Sequence, residues 1–304
     1  MNKGISILAI GGEGYMLWAV NLACTIRKVS PELPVQLIAT QKIIESIKAN
    51  RFETVFDYFT IMQEEDCTNT DGSLFPAKAK LKLPEYVMFE KSMYIDADTA
   101  VFSDLTPLFD FDSDFIAQCN TVYNLRDTEE TIKMPWCNSS VIMEHYNIEL
   151  IRWCPSLNTS FMIIEQSERV IHAFENALHN LLTNPIPLDR QHHRWGFGSG
   201  AQVDELYLNI SLCQLKIIPD HFEAIYFRYN NVAGPVATLG DLQKRYYAVG
   251  MYGHENANHK SVKPLYNSIV RPAFEEAFGK TFVAKSELLM KHKFTNQRFS
   301  SVAS

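Results

Sequence analysis

The first forty or so residues constrain the fold more than any other stretch. Ile5–Ile10 is a short apolar run ended by Gly11-Gly12. A helical spacing of apolar residues follows from Tyr15 to Val29, and Pro31 and Pro34 close it. Val35–Ala39 reads as a second buried strand. Strand, turn, helix and strand in such quick succession are the pattern of a parallel βαβ unit, a common setting for nucleotide binding.

The rest of the chain extends this α/β pattern. Glu45–Asn50 reads as a helix and Thr54–Phe59 as a strand. Ala77–Phe89 has helical spacing interrupted by Pro84. Ser92–Ile95 is a buried strand running into acids, and Phe115–Gln118 and Ser160–Ile164 are further strand candidates. Ser167–Thr183 is an amphipathic helix with Val170, Ile171, Phe174, Ala177, Leu178 and Leu181 on one face, and Gln202–Cys213 is another. Cys119–Arg152 is polar and mixed, and reads as an excursion or lid. A chain of 304 residues can bury a sizeable core.

Composition narrows the class. No apolar run approaches the roughly 20 residues of a membrane span, and the start lacks a secretory leader's long apolar region. Six cysteines at irregular spacings (24, 67, 119, 137, 154 and 213) read as free thiols of a cytoplasmic protein. The net charge of -7 argues against indiscriminate nucleic-acid binding. One local asymmetry stands out: residues 280–304 carry five basic side chains and one acid.

The most informative segment is Tyr94-Ile95-Asp96-Ala97-Asp98-Thr99. Ligands of open α/β sheets bind at the carboxyl ends of strands, where Asp96 and Asp98 fall. Two residues apart in an extended chain, both carboxylates share one face. Carboxylates held together repel unless a proton or cation relieves them, and hard oxygen donors suit Mg²⁺ or Mn²⁺. Haloacid-dehalogenase-type phosphatases and metal-dependent glycosyltransferases of the GT-A fold both use such a pair. In the phosphatases the pair normally sits on the first strand, whereas a whole βαβ unit precedes it here.

The surrounding residues resemble the glycogenin and bacterial lipopolysaccharide galactosyltransferase family. Lys80-Leu81, Tyr86, Lys91, the Asp96-Ala97-Asp98 block and Leu108-Phe109 follow that family's order. Gly11-Gly12-Glu13-Gly14-Tyr15 resembles its first strand–helix turn, and Leu157-Asn158-Thr159-Ser160 resembles its "F-N-S/A-G", with Ser160 in place of the Gly. Asp204-Glu205-Leu206-Tyr207-Leu208-Asn209 resembles "D-Q-x-x-L-N", with Glu205 in place of the Gln. His254 through Lys260 keeps the His-to-Lys spacing of "H-F-x-G-x-x-K-P-W", and Lys263-Pro264 offers a second match to its "K-P".

The resemblance implies a single GT-A domain over residues 1–265, Rossmann-like, with a mixed, mainly parallel central sheet. A variable excursion would fill 120–155 and a basic helical extension 266–304. It implies transfer of a sugar from a nucleotide-diphosphate sugar, a UDP-sugar by family habit, to an acceptor hydroxyl, with retention at the anomeric carbon. Asp96, Asp98 and His254, or His259 in its stead, would hold Mn²⁺ or Mg²⁺. Tyr15 would stack on uracil. Lys80, Ala97 and either Lys260 or Lys263 would line the diphosphate. Asp204 and Asn158 would sit near the reacting centre. The acceptor stays open between a glycan or lipid-linked saccharide, a protein, and a hydroxylated base of modified DNA. The basic, glycine-rich run Arg190–Gly200, with Trp195, and also Trp136 and Trp153, are candidate acceptor contacts. A phosphatase using Asp96 and Asp98, and a non-catalytic nucleotide-sugar binder, are the alternatives.

Overall fold

A computed structural model describes residues 2–124, 137–148, 153–191, 203–217, 220–221, 226–228, 239–244, 246–250 and 266–280. These fall into two compact units. One holds the described residues within Asn2–Met62, Met93–Phe111 and Ala224–Ser304. The other holds those within Gln63–Ser92 and Asp112–Glu223.

The first unit is built on the expected βαβ pattern. Strand β1 (Lys3–Ala9) is buried along Gly4–Ala9 on both faces, as befits an inner parallel strand. Helix α1 (Glu13–Val29) buries every residue from Met16 to Ile26. Strand β2 (Val35–Ala39) pairs in parallel with β1, Ile5 opposite Val35 and Ala9 opposite Ala39. Helix α2 (Gln41–Ala49) follows, and strand β3 (Tyr58–Ile61) pairs in parallel with β2. Strand β4 (Lys91–Asp96) comes next to β1 in the order β3-β2-β1-β4. A polar ladder crosses this apolar sheet. The Ser6 hydroxyl donates to the Gln36 side-chain oxygen at 2.8 Å, and the Gln36 amide donates to Thr60 Oγ1 at 2.7 Å. Hydrogen bonds so made offset the cost of taking these polar groups out of water.

Two expectations shift here. Helix α2 starts at Gln41, ahead of Glu45. The segment expected to be a strand from Thr54 is first a 3₁₀ turn, Glu53–Val55, with β3 beginning only at Tyr58. The reason is Asp57: its Oδ2 takes the Val35 amide at 2.7 Å and also pairs with Arg27. That anchors the chain before the strand can start.

A second sheet of this unit joins β5 (Thr99–Val101), β9 (Tyr226–Arg228) and β10 (Ala248–Gly250). Strand β10 runs antiparallel to β5 and parallel to β9. Helix α10 (Arg271–Phe278) packs against α1.

The other unit opens with three short helices, α3 (Glu64–Cys67), α4 (Pro76–Leu81) and α5 (Leu83–Tyr86). The single helix expected over 77–89 is thus broken in two, because Pro84 supplies no amide donor to an ongoing helix. Strand β6 (Phe115–Asn124) pairs antiparallel with β7 (Trp153–Glu165), and β8 (Asp220–His221) runs parallel to β6. Both long strands exceed their expected bounds, and β6 reaches into the polar excursion. Helices α6 (Ser139–Tyr146), α7 (Glu168–Thr183) and α8 (Asp204–Gln214) complete the unit, with α7 and α8 packed together and α8 lying on β7. Helix α9 (Leu239–Gln243) belongs to the first unit.

Candidate active site

The first unit carries the acid pair. Strand β4 buries Ser92 through Ile95 and ends at Asp96. Ala97-Asp98 is a two-residue turn, and Thr99 already belongs to β5. Asp98 therefore comes from the turn, so strand alternation does not govern its side chain as the sequence suggested. Both aspartates are partly exposed, while Ala97 and Thr99 between and beyond them are buried. Tyr94, itself buried, donates its hydroxyl to Asp96 Oδ1 at 2.5 Å, which orients that carboxylate. The turn is braced from behind. The Val101 amide donates to Thr25 Oγ1 of α1 at 3.1 Å, and that hydroxyl donates to Leu22 O at 2.8 Å.

The same unit presents Tyr15 after the carboxyl end of β1. Gly11 has φ +92°, a left-handed conformation that disfavours any side chain, and it turns the chain from β1 into α1. Tyr15 sits in the first turn of α1 with 43% of its surface exposed, although Gly14 and Met16 on either side of it are buried.

The other unit gathers Lys80, Thr159 and Asp204. Asp204 is the first residue of α8, where a negative side chain is favoured by the helix dipole. Its Oδ2 accepts the Thr159 hydroxyl at 2.6 Å and lies 3.5 Å from Lys80 Nζ. Lys80 Nζ also donates to Thr159 Oγ1 at 3.5 Å, closing a triangle. Lys80 and Asp204 keep 14% and 16% of their side-chain surface exposed.

A bulge in β7 makes this triangle possible. Ala117 pairs with Met162 and Gln118 with Asn158, so residues 159–161 drop out of the ladder. Asn158 Oδ1 accepts the Ser160 amide at 3.0 Å and closes the bulge as an Asx-type turn. On the other side, Asn209 of α8 accepts the Leu157 amide at 3.1 Å. The Asp and the Asn of Asp204-Glu205-Leu206-Tyr207-Leu208-Asn209 thus grip β7 at Thr159 and at Leu157. Ser160, standing where the resembled motif has Gly, needs no glycine geometry: the described non-glycine residues with positive φ are Arg51, Asn147 and Lys216.

Among the described residues no three His, Cys, Asp or Glu side chains form a metal-holding group. His254, His259, Lys260 and Lys263 lie outside the described residues, as do Trp136, Trp195 and most of the run after Arg190. The free cysteines among the described residues are Cys24, Cys67, Cys137 and Cys213. No helix among the described residues is long and apolar enough to cross a membrane.

The family model of glycosyl transferase family 8 matches residues 15–186, more than half of the chain. The chain belongs to glycosyl transferase family 8. It is a glycosyltransferase, and its fold is GT-A. No curated protein matches this family 8 chain in sequence. The galactosyltransferase LgtC, solved with donor and acceptor sugar analogues, shares its fold with a TM-score of 0.56 at 15% identity, over 89% of this chain and 95% of that one. The bifunctional glycosyltransferase WbbM gives 0.57 at 11% identity, over 94% and 52%. GlyE of Streptococcus pneumoniae TIGR4 gives 0.52 at 15% identity, over 96% and 64%. Family membership gives no support to the phosphatase or to a non-catalytic binder.

Sequence reasoning missed Thr159, Tyr94 and Asn209. Each stood inside a segment that resembles a family motif, Tyr94 before the acid pair, Thr159 at the "S/A" of "F-N-S/A-G" and Asn209 at the end of "D-Q-x-x-L-N", but none was given a role there.

Proposed function

We propose that this family 8 enzyme is metal-dependent and moves a sugar from a UDP-sugar to an acceptor hydroxyl with retention. The observation that carries the reading is the Asp96-Ala97-Asp98 turn at the carboxyl end of β4, inside the span that the family matches. Two partly exposed carboxylates, one oriented by Tyr94, are the hard donor set that Mg²⁺ or Mn²⁺ takes. His254 or His259 is proposed as a further ligand, and Lys260 or Lys263 as a diphosphate contact. The bound cation would supply charge compensation for the leaving diphosphate as the bond to the sugar's anomeric carbon breaks.

The chain's own side chains do the rest. Asp96 and Asp98 hold and orient the cation. The exposed Tyr15 ring stacks on the base of the donor. In the other unit, Asp204 accepts a hydrogen bond from a sugar hydroxyl and fixes the ring's orientation. Asn158 shapes the backbone beside it. No side chain is assigned as a nucleophile. A cytoplasmic location is part of the proposal, supported by the free thiols of Cys24, Cys67, Cys137 and Cys213. The acceptor is a saccharide, a protein or a modified base. LgtC is a galactosyltransferase, so UDP-galactose is the first donor to try.

The test is a thermal-shift screen of nucleotides and nucleotide sugars with and without Mn²⁺. UDP at about a hundredfold over its Kd should raise Tm by roughly 5 °C. The shift should need Mn²⁺ and vanish in Asp98→Ala. If no nucleotide shifts the wild-type protein, the proposal fails.

A further inference from the structure

Asp204 could be no more than a helix-start acid, yet its partners come from two other elements. Within this unit the contacts of Asp204 with described residues both meet Oδ2: Thr159 Oγ1 at 2.6 Å and Lys80 Nζ at 3.5 Å. The two partners differ in stiffness. Lys80 reaches Asp204 through a long flexible stem from α4. Thr159 is β-branched, so its χ1 is restricted, and it is 2% exposed. Its backbone is pinned on one side by the Asn158–Ser160 turn at 3.0 Å and near its other end by Asn209 on the Leu157 amide at 3.1 Å. The bulge over residues 159–161 frees it from the ladder and turns it toward α8. A hydroxyl held this way fixes where a carboxylate oxygen must lie.

We propose that Thr159 is a positioning residue for Asp204: its hydroxyl, preset by the β7 bulge, locks Oδ2 and so aims Oδ1 at a hydroxyl of the bound sugar. The proposal rests on the reading of Asp204 given above. The Thr159 hydroxyl donates its hydrogen bond to Asp204 Oδ2, while the same oxygen accepts from Lys80. The short distance fits a hydrogen bond to an ionised acceptor.

Thr159→Val keeps the shape and strand preference of threonine and removes only the hydroxyl. Thr159→Ser keeps the hydroxyl. Turnover is read as UDP release from UDP-galactose, UDP-glucose and UDP-N-acetylglucosamine with Mn²⁺, water being the acceptor. Thr159→Val should lower kcat about tenfold, leave the donor KM within about twofold and leave Tm within a few degrees. Thr159→Ser should restore most of kcat. In an Asp204→Asn background, Thr159→Val should cost nothing further. Wild-type kcat in Thr159→Val, or an equal loss in the Asp204→Asn background, overturns the proposal. A loss that serine does not rescue also overturns it. Crystal structures of the wild-type protein and Thr159→Val give a readout without turnover. Asp204 should leave its rotamer or split into two, and an unmoved carboxylate overturns the proposal. A wild-type protein that turns over none of these donors would count against the UDP-sugar reading instead, and the two crystal structures would still decide the part played by Thr159.

Discussion

At the scale of single residues, the buried phenol of Tyr94 is the side chain whose removal separates shape from chemistry. Its hydroxyl donates to Asp96 Oδ1 at 2.5 Å from a ring that is 2% exposed. Groups that hydrogen-bond a metal-binding carboxylate set its orientation and tune affinity. Tyr94→Phe keeps the packed ring and deletes that donor. Mn²⁺-dependent UDP binding, measured by titration calorimetry, should weaken about tenfold, the size expected of a hydrogen bond to a charged group. Unchanged affinity would show that Asp96 needs no such help. The contrast between Asp96 and Thr159 also shows what a sequence reveals. An acid at the end of an apolar strand is conspicuous, because burial there is costly without a ligand or partner. A threonine in a strand is ordinary, and its partner Asp204 is 45 residues away, so no local pattern could join them.

At the scale of elements, helix α7 shows how a start signal and an ion pair share one residue. Ser167 precedes the helix, its Oγ accepts the Val170 amide at 3.2 Å and donates to Asp114 Oδ2 at 2.7 Å. Arg169 grips the same carboxylate. Ser167→Ala should cost about 1 kcal/mol in chemical denaturation, the usual value of a lost N-cap. The Arg169 guanidinium, and then the Ser167 hydroxyl, hold Asp114 below the ordinary aspartate range against the opposing effect of burial. A lowered value in the folded state means that the unfolded chain binds more protons. The stabilisation is therefore present above the unfolded aspartate pKa and is lost as pH falls through the folded one. Asp114→Asn should be less stable than wild type at neutral pH, and the gap should narrow as denaturation is repeated at falling pH through the acid range. A gap constant with pH would remove this carboxylate from the account. Helix α7 was legible almost to the residue because its apolar period is long and regular. Strands β6 and β7 were not, since each runs into polar or mixed sequence where only pairing with the other strand defines its length.

At the scale of the whole molecule, the parallel βαβ opening and the acid pair together carried the fold class, because they combine a strong period with a rare chemical punctuation. The carboxyl-terminal end of the fold was harder to read. A short helix after a long stretch without clear period carries no tertiary information in its own sequence, and its place is set by what it buries. Tyr266, Ile269, Val270, Ala273 and Phe274 are all buried. The Phe274 ring lies edge-on to that of Phe52 at 5.7 Å and tilted against that of Phe278 at 4.9 Å. Lys28 of α1 pairs with Glu276 at 2.9 Å, an exposed contact that adds little. The boundary that the sequence suggests at residue 265 can be tested against this packing. Removing a single buried Phe from a core costs about 3–5 kcal/mol. A chain ended at residue 265 loses Phe274 and four buried neighbours, and exposes Phe52. It should aggregate on expression or melt roughly 10 °C or more below the full chain. A chain ended at residue 280 keeps those contacts and should melt within a few degrees of it. If the 265-residue chain unfolds with the full chain's Tm, α10 contributes nothing to the unit it packs in, and the boundary stands where the sequence puts it.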